Sequence, residues 1–361
     1  MTPLSGLKVL ELCGIGPAPL AAMILGDLGA DVVRLDRPAF APLRLDLRRD
    51  PVQRNKRALS CDLKLESDRT LARRLAAQAD VLIEGFRPGV IEKLGLGPEE
   101  LLAANPRLVI CRLTGFGQEG PLAQVAGHDL TYLAYAGALY NLGRPGQPPQ
   151  PPQNLVADYG GGSMLAVVGV LAALLERARS GRGQVVDAAM IDGVALLTQL
   201  VRGLLDAGLY REKRGENFLD GGAPFYDCYF CKDGEPIAVA SLEPQFYALV
   251  LSKLGLSEEE FPQGDFDRWP ALRAKLAATF LTRTRDEWAK VFEGTDACVA
   301  PVLRLVEAPS HPHHQARKTF VVVGGIPQGR PAPRFSRTPL PDPAPPPQAD
   351  AREAIVRDWG A

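Results

Sequence analysis

Histidine is scarce in this sequence. Four occur in 361 residues, and three of them (His311, His313, His314) stand together near the C-terminus. His128 is therefore the only imidazole in the first three hundred residues. Imidazole chemistry near neutral pH has one obvious candidate there. Cysteine is also sparse: six are scattered along the chain, which fits reduced thiols better than a disulfide framework and points to a cytoplasmic protein. Cys228 and Cys231 have the spacing of a redox motif, but they lie in an alternating aromatic stretch. No second pair completes a zinc site, so no metal is expected. Charge of one sign is not in excess: 41 basic against 42 acidic residues give a net charge of −1. That balance argues against nucleic acid, which calls for a basic surface. No uninterrupted apolar run is long enough to span a bilayer, and no secretory leader is visible, so no membrane partner is expected.

What is present is ordinary globular composition, 46% hydrophobic and 23% charged, over a length that suits two domains. Lys8–Cys13 reads as a short buried strand, Gly14–Pro19 as a turn, Leu20–Leu28 as a helix, and Asp31–Asp36 as a second strand. Strand, glycine-bearing turn, helix and strand ending in an acid outline a Rossmann-like βαβ unit. Pro19 stands where a third glycine belongs, and Arg37 after the acid favours a phosphate over a ribose hydroxyl, so no nicotinamide site is expected. Further strands are expected at Ala58–Leu63, Val81–Glu84, Leu108–Leu113 and Val185–Asp187, with a helix over Ser67–Ala79. The alternation predicts a mostly parallel sheet, whose ligands bind at the carboxyl ends of its strands. Arg37, Asp62-Leu63-Lys64, Gly85-Phe86-Arg87 with Lys93 beyond, and Gly115-Phe116-Gly117 all follow strands. Cations and glycines gathered on one sheet edge suit a phosphate-rich, adenine-bearing ligand. Arg44–Arg57 carries six basic residues and reads either as a mobile lid over phosphates or as a solvated loop.

The most informative stretch runs from Gly127 to Gly162. It opens on Gly127-His128-Asp129 and closes on Asn154–Asp158 followed by Tyr159-Gly160-Gly161-Gly162. A lone histidine next to a carboxylate, with an aspartate about thirty residues later, reads as two opposed proton carriers, His128 and Asp158. The glycine run is expected to let backbone approach a ligand. Asp158 reads otherwise as a helix cap and His128 as a structural histidine. Beyond, a buried helix is expected over Gly162–Ala178 and another from Ala188 to about Asp206. A polar, turn-rich stretch at 215–226 marks a domain change. Asp233-Gly234 signals a hairpin, Glu243-Pro244-Gln245 starts a helix, and Thr284 with Glu287 has capping-box spacing. Residues 327–347 are proline-rich and read as a strap before a last helix over Ala349–Trp359.

Nine motifs in order give the chain a resemblance to the family III CoA-transferase superfamily, and within it to the racemase branch. They include Leu4-Ser5-Gly6-Leu7, Gly85–Val90, Gly115–Gln118, Ala126–Asp129, Asn154–Gly162, Gly181–Asp187, Leu219–Phe225, Glu243–Tyr247 and Thr295–Val299. The resemblance implies an α/β fold. Residues 1–215 would form a large Rossmann-like CoA-binding domain with a mostly parallel sheet, completed by 326–361, and residues 216–325 a smaller α+β domain. It implies two interlocked copies, an acyl-CoA substrate, and no cofactor, coenzyme A being part of the substrate. Positions matching the family's CoA contacts are Arg37, Cys61, Asp62, Leu63, Lys64, Gly85, Phe86, Arg87, Lys93, Gly127, Asp129, Tyr132, Ala157, Tyr159, Gly160 and Gly161. The catalytic positions it implies are His128, Asp158 and Glu243, the glutamate paired with the histidine.

The expected activity is interconversion of (R)- and (S)-2-methylacyl-CoA thioesters by 1,1-proton transfer through an enolate. Backbone N–H groups around Asp129 are candidate donors to the oxyanion. The alternative is a family III CoA-transferase with Asp158 as nucleophile. A dehydrogenase is disfavoured by Pro19 and Arg37. A mere acyl-CoA-binding protein would leave His128 and Asp158 dispensable.

Overall fold

The structure is a computed structural model that describes residues 1–38 and 45–361. Two compact units form. The first comprises Met1–Ala136, Pro152–Thr198 and Pro312–Ala361; the second comprises Gly137–Pro151 and Gln199–His311.

The first unit is built on six parallel strands: β1 (Lys8–Leu12), β2 (Asp31–Asp36), β3 (Lys56–Ser60), β4 (Val81–Glu84), β5 (Val109–Thr114) and β6 (Val185–Ala189). Their order is β3-β2-β1-β4-β5-β6. Strands β1, β4 and β5 are buried along almost their whole length, the mark of a sheet covered on both faces. The strand order turns back on itself between β1 and β4, which opens a crevice at the carboxyl ends there. Helices α1 (Pro17–Asp27), α2 (Glu66–Gln78), α3 (Val90–Lys93), α4 (Pro98–Ala104) and α5 (Asp129–Tyr135) connect or follow these strands. Helix α1 begins on a proline whose missing N–H costs nothing at that position. Helix α2 buries Leu71, Ala72, Leu75 and Ala76 on one face.

Strand β3 starts two residues earlier than the sequence suggests and ends at Ser60. Cys61–Lys64 is thereby left as a turn at the strand's carboxyl end. Lys56 explains the shift: its side chain is fully buried and pairs with Glu11 at 2.8 Å. Over the residues described, the basic segment is solvated at Arg48 and Arg49 and folded into the unit from Gln53 on. Asp46 and Asp50 cap two short 3₁₀ turns, Leu47–Arg49 and Pro51–Gln53. Arg54 is buried on Asp27, and Arg57 pairs with Asp31 and Asp358. Its first residue, Arg44, lies outside the described residues.

The helix after the glycine run starts earlier than Gly162. Leu155–Met164 winds in wide π turns and continues as α6 (Leu165–Ser180). Asp158 therefore sits inside the first turn of a helix and not before it, which removes the simple N-cap reading. The glycines serve helix packing: a Cβ on Gly193 of α7 (Met190–Leu197) would lie 1.9 Å from the Gly161 carbonyl oxygen. Only glycine at both positions lets the two backbones cross this closely. Leu155–Ser180 is long and apolar enough to cross a bilayer by length and composition, a feature the broken apolar runs of the sequence hide. Here it lies along β5 and β6 and beside α1 on one face and leaves Met164, Val168 and Leu175 exposed on the other, and its end is held by buried Arg177 on Asp80.

The helix expected over Ala188–Asp206 is two, α7 and α8 (Gln199–Asp206). Thr198 ends the first by bonding its hydroxyl back to the Ala195 carbonyl at 2.8 Å. The two units part between these helices, earlier than the change expected near 215, and Gly137–Pro151 belongs to the second unit. That unit holds an antiparallel sheet of β7 (Tyr226–Phe230), β8 (Pro236–Ala240) and β9 (Val299–Pro301). Helices α9 (Pro244–Leu254), α10 (Trp269–Phe280) and α11 (Arg285–Phe292) pack an aromatic core of Phe225, Tyr247, Trp269, Phe280 and Trp288 on it. The Asp233-Gly234 hairpin forms as expected. So does the Thr284–Glu287 capping box, with both reciprocal bonds present.

Residues after Pro312 return to the first unit. The proline-rich strap exchanges backbone and side-chain bonds between Ala344 and Asn55. The final helix, Arg352–Trp359, puts Ile355 and Trp359 into the core beneath α2.

Candidate active site

A cavity of about 720 Å³ opens at the carboxyl ends of the first unit's strands. The turn after β1 (Cys13–Pro17), Arg37 after β2, Cys61–Lys64 after β3, Gly85–Pro88 after β4 and Gly115-Phe116 after β5 all line it. His128, Tyr132 and Asp158 complete the wall. A site assembled from five strand ends follows directly from parallel strand order.

His128 caps α5 from an extended backbone. Its N–H bonds the Thr131 hydroxyl at 2.9 Å, and that hydroxyl donates back to the His128 carbonyl at 2.8 Å. The backbone is thus fixed, and the residue lines the cavity. The Asp158 carboxylate faces the β1–α1 turn: a Cβ on Gly16 would lie 3.4 Å from Asp158 Oδ2, and Gly16 has φ 71°. Glycine alone accepts both the left-handed backbone and the close carboxylate. Burial pushes the Asp158 carboxyl up to about 6, helped by the nearby Asp129 charge; Asn154 and His128 act against the rise. Asp158 thus holds its proton nearer to neutral pH than an ordinary carboxyl does.

Tyr132 forms the floor between the two motifs. Its ring meets Phe116 edge-on at 5.1 Å. A Cβ would come within 2.1 Å of that ring from Gly115 and within 2.4 Å from Gly127. The motif glycines before Phe116 and His128 are therefore there to admit Tyr132. Burial pushes its phenol up to about 12, so it keeps its proton at physiological pH.

Buried ion pairs hold the strand-end loops. Glu84 and Arg112 stand opposite each other across β4 and β5 and pair at 2.8 Å. The other Glu84 oxygen accepts the Phe86 N–H at 2.7 Å, which fixes the turn presenting Arg87. Asp62 accepts the Lys64 N–H at 3.0 Å, while its own N–H bonds Asp68 at 2.8 Å. Arg37, Lys64 and Arg87 are exposed at the ends of β2, β3 and β4. A set of cations spread over one rim suits a ligand with several anionic groups.

Of the expected site residues, Arg37, Cys61, Asp62, Leu63, Lys64, Gly85, Phe86, Arg87, Gly127, His128, Tyr132 and Asp158 line this one cavity. Lys93 is exposed at the end of α3, whose first residue Val90 reaches the wall. Asp129 lies behind the wall, buried, with its carboxylate on the Ala157 and Asp158 amides. Ala157 and Gly161 are buried in helix packing; Tyr159 and Gly160 are half-buried beside them. Glu243 lies in the second unit, where it caps α9. Sequence reasoning missed Cys13, Ile15, Gly16, Thr114 and Met190 as wall residues. The glycine-bearing turn after β1 was the available signal for the first three, since a dinucleotide site and this cavity use the same strand end. The cysteines are not nucleophiles: burial pushes Cys13 up to about 11 and Cys61 up to about 12.

Residues 4–353 match CoA-transferase family III. The chain belongs to that family. It is 48% identical to the alpha-methylacyl-CoA racemase of Mus musculus and 46% identical to that of Homo sapiens, over 93% of this chain and 87% of each relative. The solved structure of a CaiB/BaiF family protein from Brucella suis is 30% identical, with a TM-score of 0.83 over 99% of both chains.

Proposed function

We propose that this protein interconverts (R)- and (S)-2-methylacyl-CoA thioesters, as an isomerase. The observation that carries the reading is His128 and Asp158 on one cavity wall, with Asp158 inclined to keep its proton, in a chain nearly half identical to two racemases. The thioester acidifies the neighbouring carbon. Neutral His128 takes the proton from the (S) substrate, and the bond's electron pair moves into the thioester carbonyl to give the enolate. Protonated Asp158 gives its proton to the opposite face of that carbon. For the (R) substrate the two roles exchange. The Asp129 amide, in the first turn of α5, is the assigned donor to the enolate oxygen. Glu243 is assigned to orient the imidazole and stabilise its cation, on the strength of the motif it opens. This chemistry calls on no metal and no redox cofactor.

The rim cations Arg37, Lys64 and Arg87, with Lys93 beyond them, are assigned to the phosphates of coenzyme A. A homodimer is also proposed. Its support is the face of α6 and the turn before it, where Met164, Val168 and Leu175 are 51%, 58% and 67% exposed. A stripe of this kind suits a second copy, and a molar-mass measurement in solution tests it. Six cysteines without disulfides suit a reducing compartment such as the cytoplasm.

The test is incubation in D₂O with one epimer of a 2-methylacyl-CoA and no acceptor acid, followed by NMR. Deuterium at the α-carbon with appearance of the other epimer is the expected result. The family name favours a second reading, acyl transfer through Asp158. No α-proton exchange, with thioester exchange on adding a carboxylic acid, would replace the first reading with that one.

A further inference from the structure

We propose that the Asp129 carboxylate is a positioning residue of this reaction: it ties the turn carrying His128 to the turn carrying Asp158 and presents a fixed negative charge to Asp158. The inference deepens the proton-transfer reading and rests on it. Asp129 follows His128 in the chain and is the first residue of α5, only 5% exposed. Its Oδ2 accepts the N–H of Ala157 and the N–H of Asp158, each at 2.8 Å. These amides open the wide-turn helix and have no earlier carbonyl to bond. One carboxylate oxygen thus joins the two elements that carry the two proton carriers.

The other oxygen, Oδ1, is buried and accepts no hydrogen bond among the described residues. A buried acceptor without a donor is costly, and a buried charge more so. Capping two amides needs only an acceptor, which a neutral asparagine also provides. What asparagine lacks is charge. A second anion beside Asp158 disfavours loss of the Asp158 proton, in the direction seen at that carboxyl.

The other elements packed on Asp158 bring little that competes. From α5 come His128 and the neutral phenol of Tyr132. The α1 turn brings Gly16 and Pro17, which carry no charge. On α7, Asp192 is exposed; on α6, Glu176, Arg177 and Arg179 lie in the last turns. On β5 and β6, Arg112 is held by Glu84 and Glu92, and Asp187 accepts the Gln118 N–H. Ser163 adds a contact without charge: its buried hydroxyl lies 2.8 Å from the Pro17 carbonyl and 3.1 Å from the Asp158 carbonyl.

Three full-length variants separate tether from charge. Asp129→Asn keeps the acceptor and removes the charge, Asp129→Ala removes both, and Ser163→Ala loosens the Asp158 backbone with no change of charge. Two readouts are used: ¹³C-carboxyl NMR titration of Asp158 in the free protein, and kcat and KM against pH in both directions. In Asp129→Asn the Asp158 titration is expected to move down by roughly one pH unit. The high-pH fall in kcat/KM should move with it equally in both directions, with KM changed by less than about twofold. Asp129→Ala is expected to show the same titration shift plus a further drop in kcat in both directions. Ser163→Ala is expected to lower kcat with the titration in place. An Asp129→Asn titration that overlays the wild type overturns the proposal, whatever Asp129→Ala does to folding. Equal kcat in Asp129→Asn and Asp129→Ala removes the tether and overturns it as stated. Wild-type protein that exchanges no α-proton instead defeats the racemase reading, while the titration still decides whether Asp129 governs the Asp158 proton.

Discussion

At the scale of single residues, the site comes down to which group holds a proton and when. Asp158 titrates at about 6, above its usual range, chiefly because it is buried. The direction that needs protonated Asp158 as acid should therefore lose about tenfold per pH unit above that value, as the acid form is depleted. The opposite direction draws on the same pair with its one proton on His128 instead, and the equilibrium between epimers does not depend on pH, so its kcat/KM should fall in parallel. Values of kcat/KM from pure (S) and pure (R) thioester between pH 5 and 8 should keep a constant ratio. His128→Ala and Asp158→Asn are each expected to cost on the order of 10²–10⁴ in turnover, read as α-deuterium incorporation with ligand binding retained. Both residues were legible in the sequence, the histidine by its isolation and the aspartate by its position before three glycines. Gly16 was not, because the space its missing Cβ leaves for the Asp158 carboxylate depends on two segments far apart in the chain.

At the scale of elements, the sequence announced nearly every strand of the large sheet, since most are short apolar runs and β1, β4 and β5 are buried on both faces. It misjudged β3, because a strand that starts with a buried lysine breaks the apolar signal; the Glu11–Lys56 pair shows only when β1 and β3 flank β2. This pair carries its own prediction. Lys56→Met leaves the Glu11 charge buried without a partner and is expected to cost about 3–5 kcal/mol, whereas Glu11→Leu with Lys56→Met should recover most of the loss. Urea denaturation midpoints of the three proteins would check it. Gly115 was read as one of the glycines gathered at the sheet edge and Gly127 as a position matching the family's CoA contacts, yet the element both serve is α5, by admitting the Tyr132 ring. Gly115→Ala should therefore lower the melting temperature and the activity together. Adding Tyr132→Ala should cost less than the sum of the two single changes, since the clash is then gone. If the two losses simply add, the ring is not what the glycine makes room for.

At the scale of the whole molecule, the proposed chemistry and the proposed substrate anchoring fall on different parts of one cavity: His128 and Asp158 on the wall, the cations on the rim at three strand ends. The separation makes the two functions independently removable. Lys64 and Arg87 make no ion pair among the described residues, unlike Arg54, Arg57 and Lys56 of the basic segment, whose charges are spent inside the fold. That contrast was beyond the sequence, where all of these residues look alike. It follows that Lys64→Ala and Arg87→Ala should raise KM for the acyl-CoA several-fold each while leaving kcat nearly unchanged, the pattern of binding lost equally from ground and transition states. Arg57→Ala should change neither and should instead lower stability, since its partners Asp31 and Asp358 tie β2 to the C-terminal helix. Raising the salt concentration from 0.05 to about 0.5 M should raise KM for wild type more steeply than for a Lys64→Ala/Arg87→Ala double variant, because exposed charges are the ones that salt screens. Steady-state kinetics at the two salt concentrations would settle it. Parallel salt dependences in the two proteins would mean that the phosphates are held elsewhere, and that the exposed rim of the cavity is only solvated surface.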